Sequence, residues 1–235
     1  VGIGMGMCCC GPSVQLYLCY GNDSTANVFY ADTDEYVVDT WSGKTNGSIE
    51  RYPLAGGTIG NDILIVGGLN GGGTVSNVHR YQPAIDSWDS RTAIPAPLRR
   101  LGTGETLNDG ADDLFYEFGG LLLGTGNVAD VDAYNVTPNT WAAKTNIVSP
   151  ARRYHSSFVL SNKAYMCGGV DGAAVPISDC DEYDPVGDSW ANKTNIPSPA
   201  RWASGGTYAG SKGVLFGGNN SATVGTAQIA DCDSY

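Results

Sequence analysis

Tyr183-Asp-Pro-Val-Gly-Asp-Ser-Trp190 is followed by Lys193-Thr194 and then by Pro199-Ala-Arg201. The same phrase occurs as Tyr81-Gln-Pro-Ala-Ile-Asp-Ser-Trp88 and as Tyr134-Asn-Val-Thr-Pro-Asn-Thr-Trp141, each time a Tyr, six residues and a Trp. A shorter copy, Glu35-Tyr36-Val-Val-Asp-Thr-Trp41, lacks two residues of the turn. The Trp residues are 47, 53 and 49 positions apart. Working outward, each is followed by a basic residue and Thr: Lys44-Thr45, Arg91-Thr92, Lys144-Thr145 and Lys193-Thr194. A link then leads to an Arg, as in Pro97-Leu-Arg99, Pro150-Ala-Arg152 and Pro199-Ala-Arg201, with Arg51 in the same place. Beyond it, a short apolar run ends in paired Gly at Gly67-Gly68, Gly119-Gly120, Gly168-Gly169 and Gly217-Gly218. The first copy, Leu16-Tyr-Leu-Cys-Tyr20-Gly21, keeps one Gly. Elements that recur in one order at one period mark a repeat architecture.

The physical reading is all-β. The apolar runs are short and separated by turn residues, and none has a 3.6-residue period. Paired Gly ends a buried strand where a Cβ would clash or φ is positive. The Trp is expected to supply apolar area between facing sheets. The repeated Arg can hydrogen-bond backbone carbonyls or pair with Asp where sheets meet.

Strand, Gly-Gly, Tyr, Trp and a Pro-x-Arg link resemble the kelch repeat over nearly the whole chain. The resemblance implies a β-propeller in which each repeat is a four-stranded blade, strands a to d from the centre outward. On that reading residues 1–235 form a single propeller domain, with blades at about 1–48, 49–96, 97–149, 150–198 and 199–235. The last blade lacks its outer strand, because Asp231-Cys-Asp-Ser-Tyr235 matches Asp179-Cys-Asp-Glu-Tyr183 and no Trp follows. Two readings stand: a ring of five blades, which the cost of leaving apolar blade faces in water favours, or part of a longer propeller.

The chain has a formal charge of −11, with 13 Lys and Arg against 24 Asp and Glu. That balance argues against nucleic acid, which demands basic surface, and against anionic membranes. No apolar run approaches a membrane span. Val1 to Cys10 lacks the basic region and cleavage site of an intact signal peptide, and there is no initiator Met, so a processed form or a fragment is expected. Seven Cys cannot all pair within the chain, and no CxxC spacing suggests zinc. Most are expected to be core hydrophobes; Cys167 and Cys180 fall on neighbouring strands, where a bridge is one of the options. Asn-x-Ser/Thr triplets begin at Asn22, Asn46, Asn135, Asn192 and Asn219. With a largely neutral-polar surface, they point to an extracellular or virion-surface setting.

Strand c carries acidic pairs, Asp32/Asp34, Asp130/Asp132, Asp179/Asp181 and Asp231/Asp233, replaced in blade 2 by Asn77 and His79. They read as partners of the repeated Arg51, Arg99, Arg152 and Arg201, with a ring of Ca²⁺ sites as the alternative. A feature that recurs in nearly every blade usually belongs to the architecture. By the resemblance, the d-to-a and b-to-c loops line one mouth, where partners commonly bind. The candidate contacts are the residues beside the repeated Arg, namely Tyr52, Arg100, Arg153, Tyr154 and Trp202. The b-to-c loops add Asn22, Asn70, Asn127, Asp171 and Asn219. Aromatic and Arg groups suit peptide or glycan contacts, while packing beneath the loops is the plainer alternative.

With two His, five Glu and no GxSxG, HExxH or phosphate loop, no catalytic set stands out. The expected function is a non-catalytic protein- or glycan-binding module, without a cofactor or metal, set in a larger assembly with neighbouring domains or subunits. The alternatives are a kelch-type carbohydrate-active enzyme, epimerase-like or galactose-oxidase-like, and a purely structural decoration module.

Overall fold

The computed structural model describes residues 8–10, 15–23, 28–37, 40–51, 55–148, 150–221 and 228–235. The chain forms two compact units, Val1–Arg100 with Val136–Trp141, and Leu101–Asn135 with Ala142–Tyr235. Among the described residues there are four four-stranded sheets and one three-stranded sheet, all antiparallel meanders. The first holds β1 (Cys8–Cys10), β2 (Gln15–Asp23), β3 (Val28–Val37) and β4 (Thr40–Gly43). The second holds β5 (Ala55–Ile59), β6 (Asp62–Asn70), β7 (Gly73–Gln82) and β8 (Ser87–Arg91). The third holds β9 (Thr103–Asn108), β10 (Asp113–Leu122), β11 (Gly126–Asn135) and β12 (Thr140–Lys144). The fourth holds β13 (Ser156–Leu160), β14 (Lys163–Cys167), β15 (Cys180–Asp184) and β16 (Ser189–Asn192). The fifth holds β17 (Gly205–Ala209), β18 (Lys212–Phe216) and β19 (Cys232–Ser234), three strands among the described residues. Four of the sheets are four-stranded blades and the fifth is a small sheet. No helix among the described residues is long and apolar enough to cross a membrane.

Strand alternation sorts the side chains. In the second unit, Leu107, Tyr116 and Phe118 of the third sheet pack with Ala164, Met166 and Tyr183 of the fourth. On the other face of the fourth sheet, Phe158, Tyr165 and Cys167 meet Leu215 of the fifth. Each such large side chain contributes about 1.5–3 kcal/mol on burial. Cys167 and Cys180 are direct cross-strand partners and are disulfide-bonded. In the first unit, Ile63, Ile65 and Tyr81 form the corresponding cluster, with Trp88 against it.

The Gly pair is explained by Gly168 and Gly169. Gly168 has φ +69°, and a Cβ there would lie 2.5 Å from the Arg201 carbonyl oxygen. Gly169 N donates to that same carbonyl at 2.9 Å. The next blade's backbone is thus hydrogen-bonded where a side chain would stand. Gly120 makes the equivalent bond to the Arg152 carbonyl.

The repeated Arg side chains are all buried. Arg152 donates to the Met166 and Asp179 carbonyls and, at 2.5 Å, to Asp181 Oδ2. Arg201 pairs with Asp233 in the same way. In the second sheet Arg51 donates to the Asn77 and Ile65 carbonyls and meets His79 Nδ1 at 3.3 Å. The second acid of the strand-c pair is therefore the counter-ion of the Arg in the fourth and fifth sheets, buried in the fourth and half-buried in the fifth, and His79 takes that place in the second. Deleting one partner of such a buried pair costs about 3–5 kcal/mol.

The Trp residues do more than fill space. Trp88, Trp141 and Trp190 donate their indole N–H to the carbonyls of Thr45, Thr92 and Thr145, each in the preceding blade. The N–H groups of those same Thr residues donate to Asp86, Asn139 and Asp188. These three stand two positions before the Trp, in left-handed conformation with φ 47°, 57° and 43°. Tyr81 and Tyr183 donate their hydroxyls to Asp86 and Asp188. The result is a reciprocal clasp between successive blades. Apolar contact is retained as well, since Trp190 meets Phe118 of the preceding blade edge-on at 5.9 Å. Trp41, by contrast, is 50% exposed, so the expectation that every Trp is packed between sheets is corrected there.

Candidate functional site

The loop residues singled out by the sequence lie in both units, and each unit is taken alone. In the first, Tyr52 lies outside the described residues. Asn22 is in β2 opposite Phe29. Asn70 ends β6, and its Oδ1 accepts from Gly72 N at 2.9 Å, closing the hairpin turn. The turn borders a depression of about 660 Å³, whose polar lining is Asp32, Asn46, Ser48, Glu50 and Asn70. Asn46 is held in place there: its Nδ2 donates to Asp32 Oδ1 at 3.1 Å and its Oδ1 accepts from Thr33 N. Asp32, Asn46, Ser48 and Glu50 are all exposed. Arg100 is half-buried, and its Nε finds no hydrogen-bond partner among the described residues.

In the second unit the candidates are brought together in two pairs. Arg153 Nη1 donates to Asn127 Oδ1 at 2.5 Å, while Asn127 Nδ2 donates to the Ala151 and Val170 carbonyls. Tyr154 and Trp202 pack at 5.0 Å between ring centroids, with the Arg153 guanidinium 6.0 Å from the Tyr154 ring. Trp202 is only 5% exposed and donates its indole N–H to the Ser221 carbonyl. Asn219 is buried, exchanges backbone bonds with Trp202 and accepts from Ser221 N. Asp171 stands apart, its Oδ1 accepting from Ala173 and Val175 N within its own turn. Trp202, Asn127 and Asn219 therefore hold the loops in shape, and Arg153 and Tyr154 keep partial exposure.

A backbone chain positions these side chains. Tyr154 N donates to the Leu101 carbonyl and Ala203 N to the Tyr154 carbonyl. Leu101, Tyr154 and Ala203 occupy one repeat position and all have positive φ, which is rare for residues with a Cβ. The blade-to-blade bond compensates the strain.

Sequence reading missed a polar cluster between the third and fourth sheets. Glu105 on β9 shares a sheet face with Thr103 and Leu107 and hydrogen-bonds to Ser157 on β13. Desolvation pushes its carboxyl up to about 7, against the lowering effect of that bond. Beside it, His155 shares a 2.9 Å hydrogen bond through Nε2 with Thr103 Oγ1, and Thr103 also approaches Met166 Sδ at 3.4 Å. Burial first, and then Arg152, hold His155 down to about 3. His155 Nδ1 is buried with no partner among the described residues. The signal was present in the repeat: six places after each Arg stand Gly57, Phe158 and Thr207, and only the third blade has an acid. His79 is likewise held down to about 4, by burial and then by Arg51. No group of three or more His, Cys, Asp or Glu suited to a metal ion occurs among the described residues.

Antiparallel four-stranded blades, joined through a buried Arg, a Gly pair and a Trp clasp, define a β-propeller of the kelch type. The chain carries Kelch motifs, matched at residues 50–91 and 151–195, and it is distantly homologous to kelch proteins. N-acetylneuraminate epimerase of Shigella sonnei (strain Ss046) is 29% identical over 119 residues, 49% of this chain and 31% of that protein. Beta-scruin of Limulus polyphemus is 31% identical over 114 residues, 46% of this chain and 12% of scruin. The matched segments thus span less than a third of these curated relatives. The solved structure of YjhT has the same fold, with a TM-score of 0.75 at 13% identity over 92% of this chain and 72% of that one.

Proposed function

We propose that the chain is a non-catalytic binding propeller that engages protein or glycan partners through its loops, in an extracellular or virion-surface assembly. The observation that carries this reading is the depression of the first unit. It is open, polar and built on loops, and Asp32, Asn46, Ser48 and Glu50 are exposed in it. Carboxylate, amide and hydroxyl groups in one concavity suit the hydroxyls of a glycan or the basic groups of a peptide. The Cys167–Cys180 bridge supports an oxidising setting. Glycan and peptide arrays probed with the wild type and with an Asn46→Ala, Glu50→Ala double variant test the reading. Specific retention by the wild type, lost in the variant, is expected. Failure of the wild type on both arrays, or equal retention of the variant, refutes it.

A second reading, a carbohydrate-active enzyme, is supported by the match to the epimerase and by a carboxyl poised near neutral pH at Glu105. Its test is anomer exchange of N-acetylneuraminate followed by NMR. Acceleration by the wild type and not by Glu105→Gln supports it, and no acceleration dismisses it.

A further inference from the structure

Asn192-Lys-Thr194 is one of the five Asn-x-Ser/Thr triplets, and the structure separates it from three of the others. Asn192 closes β16, opposite Asp181. The backbone is fixed on both sides of it, since Ala191 lies opposite Glu182 and Lys193 N donates to the Cys180 carbonyl at 2.8 Å. Lys193 turns its ammonium to Glu182 Oε2 at 2.9 Å, on the sheet face that Ala191 and Glu182 share. Strand alternation therefore sends Asn192 to the opposite face. There it is exposed and makes no side-chain hydrogen bond among the described residues, and Thr194 is exposed as well. That openness belongs to the repeat position. Gly43, Ser90 and Ala143, each two places after its Trp, are exposed too, and so are Thr45, Thr92 and Thr145, although each of these Thr residues clasps a following blade. It is thus independent of what packs beyond Thr194.

Three other triplets are differently placed. Asn219 is buried, and its Oδ1 accepts from Ser221 N. Asn46 Nδ2 donates to Asp32 at 3.1 Å, and Asn135 Nδ2 to Asp112 at 3.0 Å. A sugar on any of these nitrogens has to displace a bond or a packed neighbour, whereas at Asn192 it meets water. We propose that Asn192 is an N-glycan acceptor, served by a lipid-linked diphospho-oligosaccharide in a secretory compartment. Asn192 Nδ2 bonds to the anomeric carbon of the first sugar, and the bond from that carbon to the phosphate oxygen breaks. The lipid diphosphate leaves with the electron pair, and the amide gives up one proton. Thr194 supplies the hydroxyl that the acceptor motif requires two places on. Thr45, Thr92 and Thr145 hold the same place in their blades, but only at 192 does an Asn stand two residues before the Thr. Among the described residues β16 is the outer strand of its sheet, and a bulky solvated group at its end blunts that edge against pairing with other chains. The modification shares with the proposed function only the extracellular setting; it lies in the second unit, and the loop depression in the first.

The test passes the chain through a eukaryotic secretory pathway behind a cleavable signal. Protein from the medium and from the cells is treated with peptide N-glycosidase in heavy-oxygen water, and mass spectrometry reads the heavy label at each Asn that carried a glycan. Label at Asn192 in most molecules is expected, and little at the buried Asn219. Asn192→Gln and Thr194→Ala should each lower the intact mass by one glycan, while Thr194→Ser keeps it. Thermal melts check that all three variants fold, as the exposure of both residues requires. Absence of label at Asn192 in both fractions overturns the proposal. So does label at Asn192 that survives Thr194→Ala, or label at Asn219 equal to that at Asn192. The arrays read binding by the loops and this mapping reads a covalent bond, so either fails without the other.

Discussion

Replacing Glu105 by Gln keeps the shape of the side chain and removes its titration. The carboxyl lies at about 7 in the fold against an ordinary 4.5, because its environment between β9 and β13 is desolvated. Below 4.5 the folded and unfolded chains both hold the proton, and the raised value favours the fold in full. As pH rises from 4.5 the unfolded chain ionises first, so stability falls, and the loss is complete once pH has passed about 7. A displacement of that size corresponds to at most about 3 kcal/mol. Glu105 keeps some exposure as a residue, so about 2 kcal/mol is the working figure. Glu105→Gln should therefore match the wild type near pH 4 and exceed it at pH 8. For a chain of this length that gain corresponds to a rise in Tm of about 4–8 °C. His79 and His155 act in the opposite sense, since both are held below 6.5 and take stability away as pH falls. They are common to both proteins and cancel in the comparison. Thermal melts followed by circular dichroism from pH 4 to 8 supply the test. Parallel Tm curves for the two proteins would refute a desolvated carboxyl at this junction.

Gly168→Ala should lower stability by about 2 kcal/mol or more, because it combines positive φ with a 2.5 Å approach to the Arg201 carbonyl; Gly172→Ala, with open space around it, should leave urea unfolding unchanged. Trp190→Phe keeps the ring and loses the indole bond to Thr145, so a loss of about 1 kcal/mol is expected in the same assay. His79→Asp places beside Arg51 the carboxylate that Arg152 already has in Asp181. It should remove the part of the stability loss between pH 6.5 and 4 that His79 contributes, and an unchanged acid limb would count against that role.

The repeat was legible because its parts are chemically conspicuous and recur at one spacing. Arg152, Gly168 and Trp190 each meet a constraint that few residues satisfy, so the same types return in most blades. Their partners were less legible. Asp188 in its left-handed turn and Thr145 beyond Lys144 look like ordinary loop residues until the Thr145 N–H is seen to donate to Asp188 and its carbonyl to accept from the Trp190 indole. The loop candidates divided for the same reason. Trp202 and Arg153 are adjacent to repeated Arg residues and read alike as contacts, yet Trp202 is buried on Tyr154 and Ser221, whereas Arg153 keeps partial exposure.

By itself the order of residues determined the blade: short strands, the glycine bulge, the buried guanidinium and the indole at each outer strand. All of these follow from local conformational limits and from periodicity, which a linear chain records. Only tertiary structure decided which polar groups remain open to a partner and that Glu105 is desolvated against Ser157. Those properties depend on which atoms of distant repeats approach within a few ångströms. Burial and electrostatic environment are set by that approach, and no spacing along the chain encodes it.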